Sequence, residues 1–251
     1  RVGLHGMGMI PMLLGLGCNV PGVLASRIME SPRERFICIT LLAIAVPCAA
    51  KAAMIVGLAG RHGPAALAVI FGTLFLVWFV LGIVLNRLLK GESPEILVDI
   101  PPYRLPYFRG LIKKVWMRLV SFTLEAVPFV LAGVLLANLL YALGVIDFIG
   151  WAAAPVVGGL MGLPREAVGG LVVGFLRKDV AIGMLAPLDL SFRQTVVACV
   201  VLAIYFPCVA TFAVMLRELG IRRMLQASAI MALTAVLVGT VVNLVLRVAL
   251  G

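Results

Sequence analysis

The sequence predicts an all-α, polytopic helical membrane protein with broken or re-entrant helices. Three observations predict it. Of 251 residues, 63% are hydrophobic and only 13% charged, with a mean hydropathy of +1.16, whereas soluble domains carry about 25% charged residues. The apolar residues are gathered into runs such as Pro64 to Leu85, which holds no charge, and about 20 such residues cross roughly 30 Å of hydrocarbon as a helix. Gly and Pro interrupt several of the runs. Lipid offers unpaired backbone groups no partner, so an interruption is tolerated only where it faces protein or a cavity.

In chain order, residues 8–26 are apolar but interrupted by Gly15, Gly17 and Pro21, and read as a broken or re-entrant helix. Residues 36–60 form a span with Pro47 and Lys51 inside it, and 64–86 form a clean span. Residues 91–106 are a loop punctuated by Pro94, Pro101, Pro102 and Pro106. Residues 107–119 set Arg109, Lys113, Lys114 and Arg118 beside Leu111, Val115, Trp116 and Leu119, the pattern of an interfacial amphipathic helix. A span containing Glu125 and Pro128 is expected at 121–143. Residues 146–162 are Gly-rich and short of a clear crossing, and 164–186 carry Arg177, Lys178 and Asp179 at their middle. Spans at 192–216, with Pro207 inside, and at 224–246 complete the chain. The grouping expected is 1–90, 91–119 and 120–251: two membrane sets joined by a loop and an interfacial helix.

Basic residues orient the chain. Arg27, Arg33 and Arg35 share a side with Arg87, Lys90, Arg104, Arg109, Lys113, Lys114 and Arg118, while the loop between the first two spans holds only Arg61 and His62. The positive-inside rule makes the first side cytoplasmic. Arg217, Arg222 and Arg223 then belong inside as well, so 144–191 must begin and end outside, as re-entrant or two-crossing segments, and the C-terminus lies outside. The formal charge of +10 is read as loops facing anionic lipid rather than nucleic acid. No zinc-finger, RNP-type or P-loop pattern occurs, and no enzyme activity is expected. The chain starts at Arg1, so a fragment of something longer is an open expectation.

Three breaks share one composition: Gly17-Cys18-Asn19-Val20-Pro21, Pro47-Cys48-Ala49-Ala50 and Pro207-Cys208-Val209-Ala210. A helix-interior Pro removes one backbone bond and frees the carbonyl four residues earlier, here those of Gly17, Ala43 and Ala203. Each break therefore sets a thiol near an unpaired oxygen. Thiols select soft or borderline ions, whereas Mg²⁺ and Ca²⁺ prefer all-oxygen sites, so the mixed donor set suits Fe²⁺ or a similar transition ion. Cys38 and Cys199 lack a nearby breaker and read as packing residues. Met7, Met9, Met12, His5 and His62 read as ordinary. Lys51, one turn after Cys48, and the Arg177-Lys178-Asp179 run are intramembrane charges, which mark a pathway or a pair.

Several motifs resemble the ferrous iron transport protein B (FeoB) family. The run Gly17-Cys18-Asn19-Val20-Pro21, continued by Ser31-Pro32-Arg33-Glu34-Arg35, resembles that family's Gly-Cys-Asn-Val-Pro segment. Pro101-Pro102-Tyr103-Arg104-Leu105-Pro106, Gly174-Phe175-Leu176-Arg177-Lys178-Asp179 and Tyr205-Phe206-Pro207-Cys208-Val209-Ala210-Thr211 resemble further family segments in the same order. The family tends to show Ser-Cys-Ser-Ala-Arg around Cys48, and Glu at position 179. The resemblance implies Fe²⁺ passage across the bacterial inner membrane, with Fe²⁺ as transported ion rather than a tightly bound cofactor. It implies that Cys18, Cys48 and Cys208 line the path. Asn19 and Asp179 complete the candidate metal set. It also implies a cytoplasmic G domain, missing or separate here. Self-association, a transporter of an organic solute such as a nucleoside, and a non-transporting scaffold stay open.

Overall fold

The computed structural model describes residues 6–89, 107–142, 158–176 and 178–250. Helices α1 (Met9–Gly17) and α2 (Asn19–Ala25) are the arms of the first interrupted segment, with Cys18 extended between them at φ −149° and ψ 135°. The arms fold back on each other. A Cβ built on Gly22 would lie 2.9 Å from the Pro11 carbonyl oxygen and 3.1 Å from the Gly15 Cα. In a straight helix Pro11 and Gly22 would stand about 16 Å apart, so the segment is a re-entrant hairpin with Cys18 at its tip. Only glycine permits this approach, because the Pro11 oxygen and the Gly15 Cα are backbone atoms that cannot yield, and the same Cβ would also crowd Leu42 Cδ1 on the next helix at 2.8 Å.

That next helix, α3 (Pro32–Ala45), begins with a proline, whose fixed φ suits a first helical position. It is buried from Phe36 to Ala45. The chain then breaks at Val46-Pro47-Cys48 and resumes as α4 (Ala49–Ala59). A turn at Gly63, with φ 81°, leads into α5 (Pro64–Leu88). This helix buries the stripe Ala66, Ile70, Leu74 and Val77, at the spacing of one helical face.

One expectation needs correction. Residues 107–119 and 121–143 were expected as two helices, but the structure has one, α6 (Phe108–Ala142), of 35 residues. No Gly or Pro stands between the basic and the apolar part to stop it, and at about 1.5 Å per residue it exceeds 50 Å, longer than the hydrocarbon layer. The expected loop at 91–106, and residues 146–157 of the Gly-rich stretch, lie outside the described residues.

Helices α7 (Arg165–Leu176) and α8 (Lys178–Leu185) form a second hairpin. A Cβ on Gly170 would meet Leu185 Cδ2 at 2.9 Å, and one on Gly174 would meet the Ala181 Cβ at 3.2 Å. Helix α9 (Phe192–Ile204) opens with a Ser191–Gln194 capping box and is buried from Thr195 onward. After the break at 205–208, α10 (Val209–Leu250) leaves helical geometry at Gly220, φ 74° and ψ 164°. There the chain reverses: a Cβ on Gly239 would lie 2.8 Å from Val201 Cγ2, which a straight 42-residue helix could not reach. The two spans expected at 192–216 and 224–246 therefore lie on either side of this turn. Among the described residues, Pro32–His62, Pro64–Leu88 and Phe192–Ala249 are helical stretches long and apolar enough to cross a membrane.

The two hairpin-plus-broken-helix units are repeats of each other. Ser26–Ile28 and Ala186–Leu188 are matching 3₁₀ turns, α3 and α9 begin at Pro32 and Phe192, and α4 and α10 begin at Ala49 and Val209, a constant offset of 160 residues. The repeats enter from opposite ends. At the basic end, Arg27 and Arg35 pair with Glu218, Arg223 donates to the Pro32 carbonyl at 3.0 Å and Arg33 to Asn86 Oδ1 at 2.6 Å. At the other end, Arg61 donates to the Ala186 carbonyl at 3.1 Å and Asn243 to the Leu160 carbonyl at 3.0 Å. The grouping of ends matches that read from the basic residues. Each hairpin rests on the post-break helix of the other repeat, α2 on α10 and α8 on α4. Lipid tails are as apolar as leucine, so such packing relies on close approach through small residues; a Cβ on Gly57 of α4 would meet Ile182 of α8 at 3.6 Å.

Candidate metal path at the helix breaks

Each break ends on a cysteine that opens the following half-helix. The carbonyls of Cys18, Cys48 and Cys208 accept the amides of Gly22, Ala52 and Phe212 at 3.4, 2.8 and 2.9 Å. The three thiols therefore sit beside helix N-termini, each next to the unpaired amides of a first turn. Cys18 feels the charges of Cys48 and Cys208, so the three breaks lie in one region of the molecule. All three are partly exposed, whereas Cys38 and Cys199 are fully buried in α3 and α9, as their packing role requires.

Two lysines occupy the other ends of the same breaks. Lys51 is 1% exposed, and its Nζ donates to the carbonyls of Ala43 at 2.6 Å, Ile44 at 3.4 Å and Val46 at 3.4 Å. The Ala43 oxygen expected to be free is thus occupied. A buried orphan carbonyl costs roughly 1–3 kcal/mol, and a side chain one turn beyond the break is long enough to reach back to it. Lys178, also buried, donates to the Leu202 carbonyl and lies 5.4 Å from the Tyr205 ring centroid. Tyr205 in turn donates its hydroxyl to the Leu171 carbonyl. Both ammonium groups neutralise a helix C-terminus, the negative end of the dipole, and both lie within charge reach of Cys48 and Cys208. In repeat register Lys178 corresponds to Cys18, and Lys51 to Thr211. The repeats thus place one lysine each at the same helix end from different positions. Thr211 Oγ1 lies 3.2 Å from Cys208 Sγ.

Asn19 follows Cys18 at the hairpin tip. It is 3% exposed, and its Oδ1 is buried with no hydrogen-bond partner among the described residues. The Asp179 side chain, like all of Arg177, lies outside the described residues. Among the described residues no three His, Cys, Asp or Glu side chains stand close enough to hold a metal ion together, so the thiols form no single chelate. Tyr205 and Thr211 are site residues that sequence reasoning did not single out. Thr211 lies one turn after the Pro207-Cys208 break, as Lys51 does after Pro47-Cys48, and that spacing was its signal; Tyr205 had none. At the end opposite the basic one, a cavity of about 150 Å³ is lined by residues including Arg61, His62, Asp189 and Thr195.

Comparison with known proteins adds the following. The Gate family, described as "Nucleoside recognition", matches residues 1–62 and 123–222. The family described as "Ferrous iron transport protein B C terminus" matches residues 67–118. The chain is 28% identical over 287 residues to the Fe(2+) transporter FeoB of Methanocaldococcus jannaschii, covering 98% of the chain and 42% of that protein. It is 33% identical over 121 residues to the Fe(2+) transport protein A/Fe(2+) transporter FeoB fusion protein of Porphyromonas gingivalis, covering 46% of the chain and 14% of the relative. It is 34% identical over 134 residues to the Fe(2+) transporter FeoB of Escherichia coli, covering 50% and 17%. The chain thus spans less than half the length of these relatives. No solved structure matches it significantly.

Proposed function

We propose that this chain, which belongs to the Gate family and is a ferrous iron transport protein B type membrane part, forms a permease core that carries Fe²⁺ inward across the bacterial inner membrane. The observation that carries the reading is the meeting of three half-helices whose N-terminal residues are all cysteines. An Fe²⁺ ion needs donors that replace its water, yet bind weakly enough to release it. Thiols spread over three breaks, with the unpartnered Asn19 oxygen beside Cys18, offer successive partial shells rather than one trap. Asp179 would add negative charge at the second hairpin tip. The cavity beside His62 and Asp189 would admit the ion on the side away from the basic loops, and the basic end would face the cytoplasm and the G domain that the family resemblance implies. An organic solute is not favoured: the polar groups at the centre are thiols, an amide and ammonium groups, and the relatives are named as Fe(2+) transporters.

The test is uptake of radiolabelled Fe²⁺ into proteoliposomes holding the intact chain or its Cys18→Ser and Cys208→Ser variants at equal incorporation. The expected result is uptake by the intact chain that falls on the order of tenfold in each variant, the factor that about 1.4 kcal/mol represents. Uptake unchanged in both variants would sink the assignment.

A further inference from the structure

The geometry points to Lys51 as a tethered stand-in for the transported cation: its ammonium fills a carbonyl cradle at the end of α3 that a divalent ion occupies once the side chain swings away. The inference rests on the transport reading above and adds a site and a gating residue to it. Lys51 Nζ has three backbone oxygens within 3.4 Å, those of Ala43, Ile44 and Val46. Every described hydrogen-bond acceptor of this buried lysine is such a carbonyl. Rings of carbonyl oxygens are how proteins replace a cation's hydration shell in a membrane, and these three lie at the negative end of α3, which is buried from Phe36 to Ala45. The Cys48 thiol ends the same break and lies within charge reach of Nζ. Three oxygens in contact with one cationic group, and a thiol on the same break, offer the oxygen and sulfur chemistry that suits a borderline divalent ion over Mg²⁺ or Ca²⁺.

Lys178 caps the negative end of α9 through one described carbonyl, whereas Lys51 gathers three carbonyl oxygens onto one cationic group. That group holds the place a bound cation would take, and two cations cannot share it. A unit charge and a divalent ion a few ångströms apart repel strongly even at an effective dielectric constant of about 20. The cradle therefore alternates between Lys51 and the ion. In the ion-free state the lysine keeps the oxygens paired and excludes weakly bound cations. An arriving ion must bring enough binding energy, through Cys48 and the oxygens together, to displace it. Thiol affinity would thereby become a condition of passage.

Co²⁺, whose thiolate complexes are coloured, is the probe. The purified chain is titrated with Co²⁺ alongside Lys51→Gln, which keeps a neutral donor for the Ala43 carbonyl, and Lys51→Arg, which keeps the charge. The expected result is Co²⁺ affinity at least about tenfold higher in Lys51→Gln and not raised in Lys51→Arg. Equal affinity in wild type and Lys51→Gln, both folded, would overturn the inference, as would no Co²⁺ binding to either. A second measurement needs no variant: acylation of Lys51 in the wild-type chain, followed by mass spectrometry. Saturating Co²⁺ should increase labelling several-fold, and unchanged labelling would overturn the inference. Failure of the transport reading shows separately, as Fe²⁺ uptake that ignores Cys18 and Cys208.

Discussion

At the scale of residues, the site is governed by what happens to backbone groups that a break leaves unpaired. Pro47 and Pro207 interrupt α3–α4 and α9–α10, and lysines close the carbonyl side of each gap while cysteines open the amide side. The pairing of Pro with Cys was legible in the sequence because proline fixes where a helix fails and the adjacent thiol needs no tertiary information. The destination of Lys51 was not legible. Position 51 reveals proximity to the break but not that the side chain turns back along the chain. The same scale holds the tightest packing. Gly22 is hemmed by backbone, with the Pro11 oxygen 2.9 Å and the Gly15 Cα 3.1 Å from a prospective Cβ, and backbone cannot yield as a side chain does. Gly22→Ala should therefore lower stability by about 1–3 kcal/mol, read as a lower unfolding temperature in detergent. An unchanged transition would mean that the hairpin arms are looser than described.

At the scale of elements, the hairpins are what turn two broken helices into a site. A re-entrant segment exposes polar backbone at membrane depth and survives only where protein covers its break, which is why α2 and α8 pack against post-break helices, while the α1 arm leaves Met9, Leu13 and Leu16 exposed. The sequence showed the interruption at 8–26 but left broken and re-entrant forms open, because Gly and Pro mark a break without giving the angle between its arms. Close contacts at Gly22 and Gly174 decide the angle. The same limit explains α6. Its basic first part and apolar second part differ in composition, and composition suggested two helices, yet helix termination needs a breaker or a cap, and none stands between them.

At the scale of the whole molecule, the constant offset between repeats sets two opposed hairpin-plus-broken-helix units around one centre. The offset was hard to see in the sequence because the functional residues do not align: Cys18 matches Lys178, and Lys51 matches Thr211. What survives in both copies is Pro-Cys-x-Ala with the Leu-Ala-Ile before it (Leu42-Ala43-Ile44 and Leu202-Ala203-Ile204), and isolated matches such as Ser31 with Ser191 and Arg33 with Arg193. The basic-end tie between repeats is Glu218, whose side chain is 3% exposed and which pairs with both Arg27 and Arg35. Glu218→Gln should cost about 1–2 kcal/mol, less than a fully buried pair because both arginines reach water, and chemical denaturation should show it. Loss of stability below detection would mean that the ends are held together elsewhere.

The claim on which the account turns is that Cys18, Cys48 and Cys208, and not Cys38 or Cys199, face a common path for a soft divalent ion. Alkylation of the five cysteines by a small maleimide, resolved by mass spectrometry with and without Co²⁺, tests it most directly. The account predicts that the three break cysteines react and are protected by Co²⁺, while Cys38 and Cys199 stay inert in both conditions. Labelling of the three that ignores Co²⁺, or reaction spread evenly over all five, would contradict it.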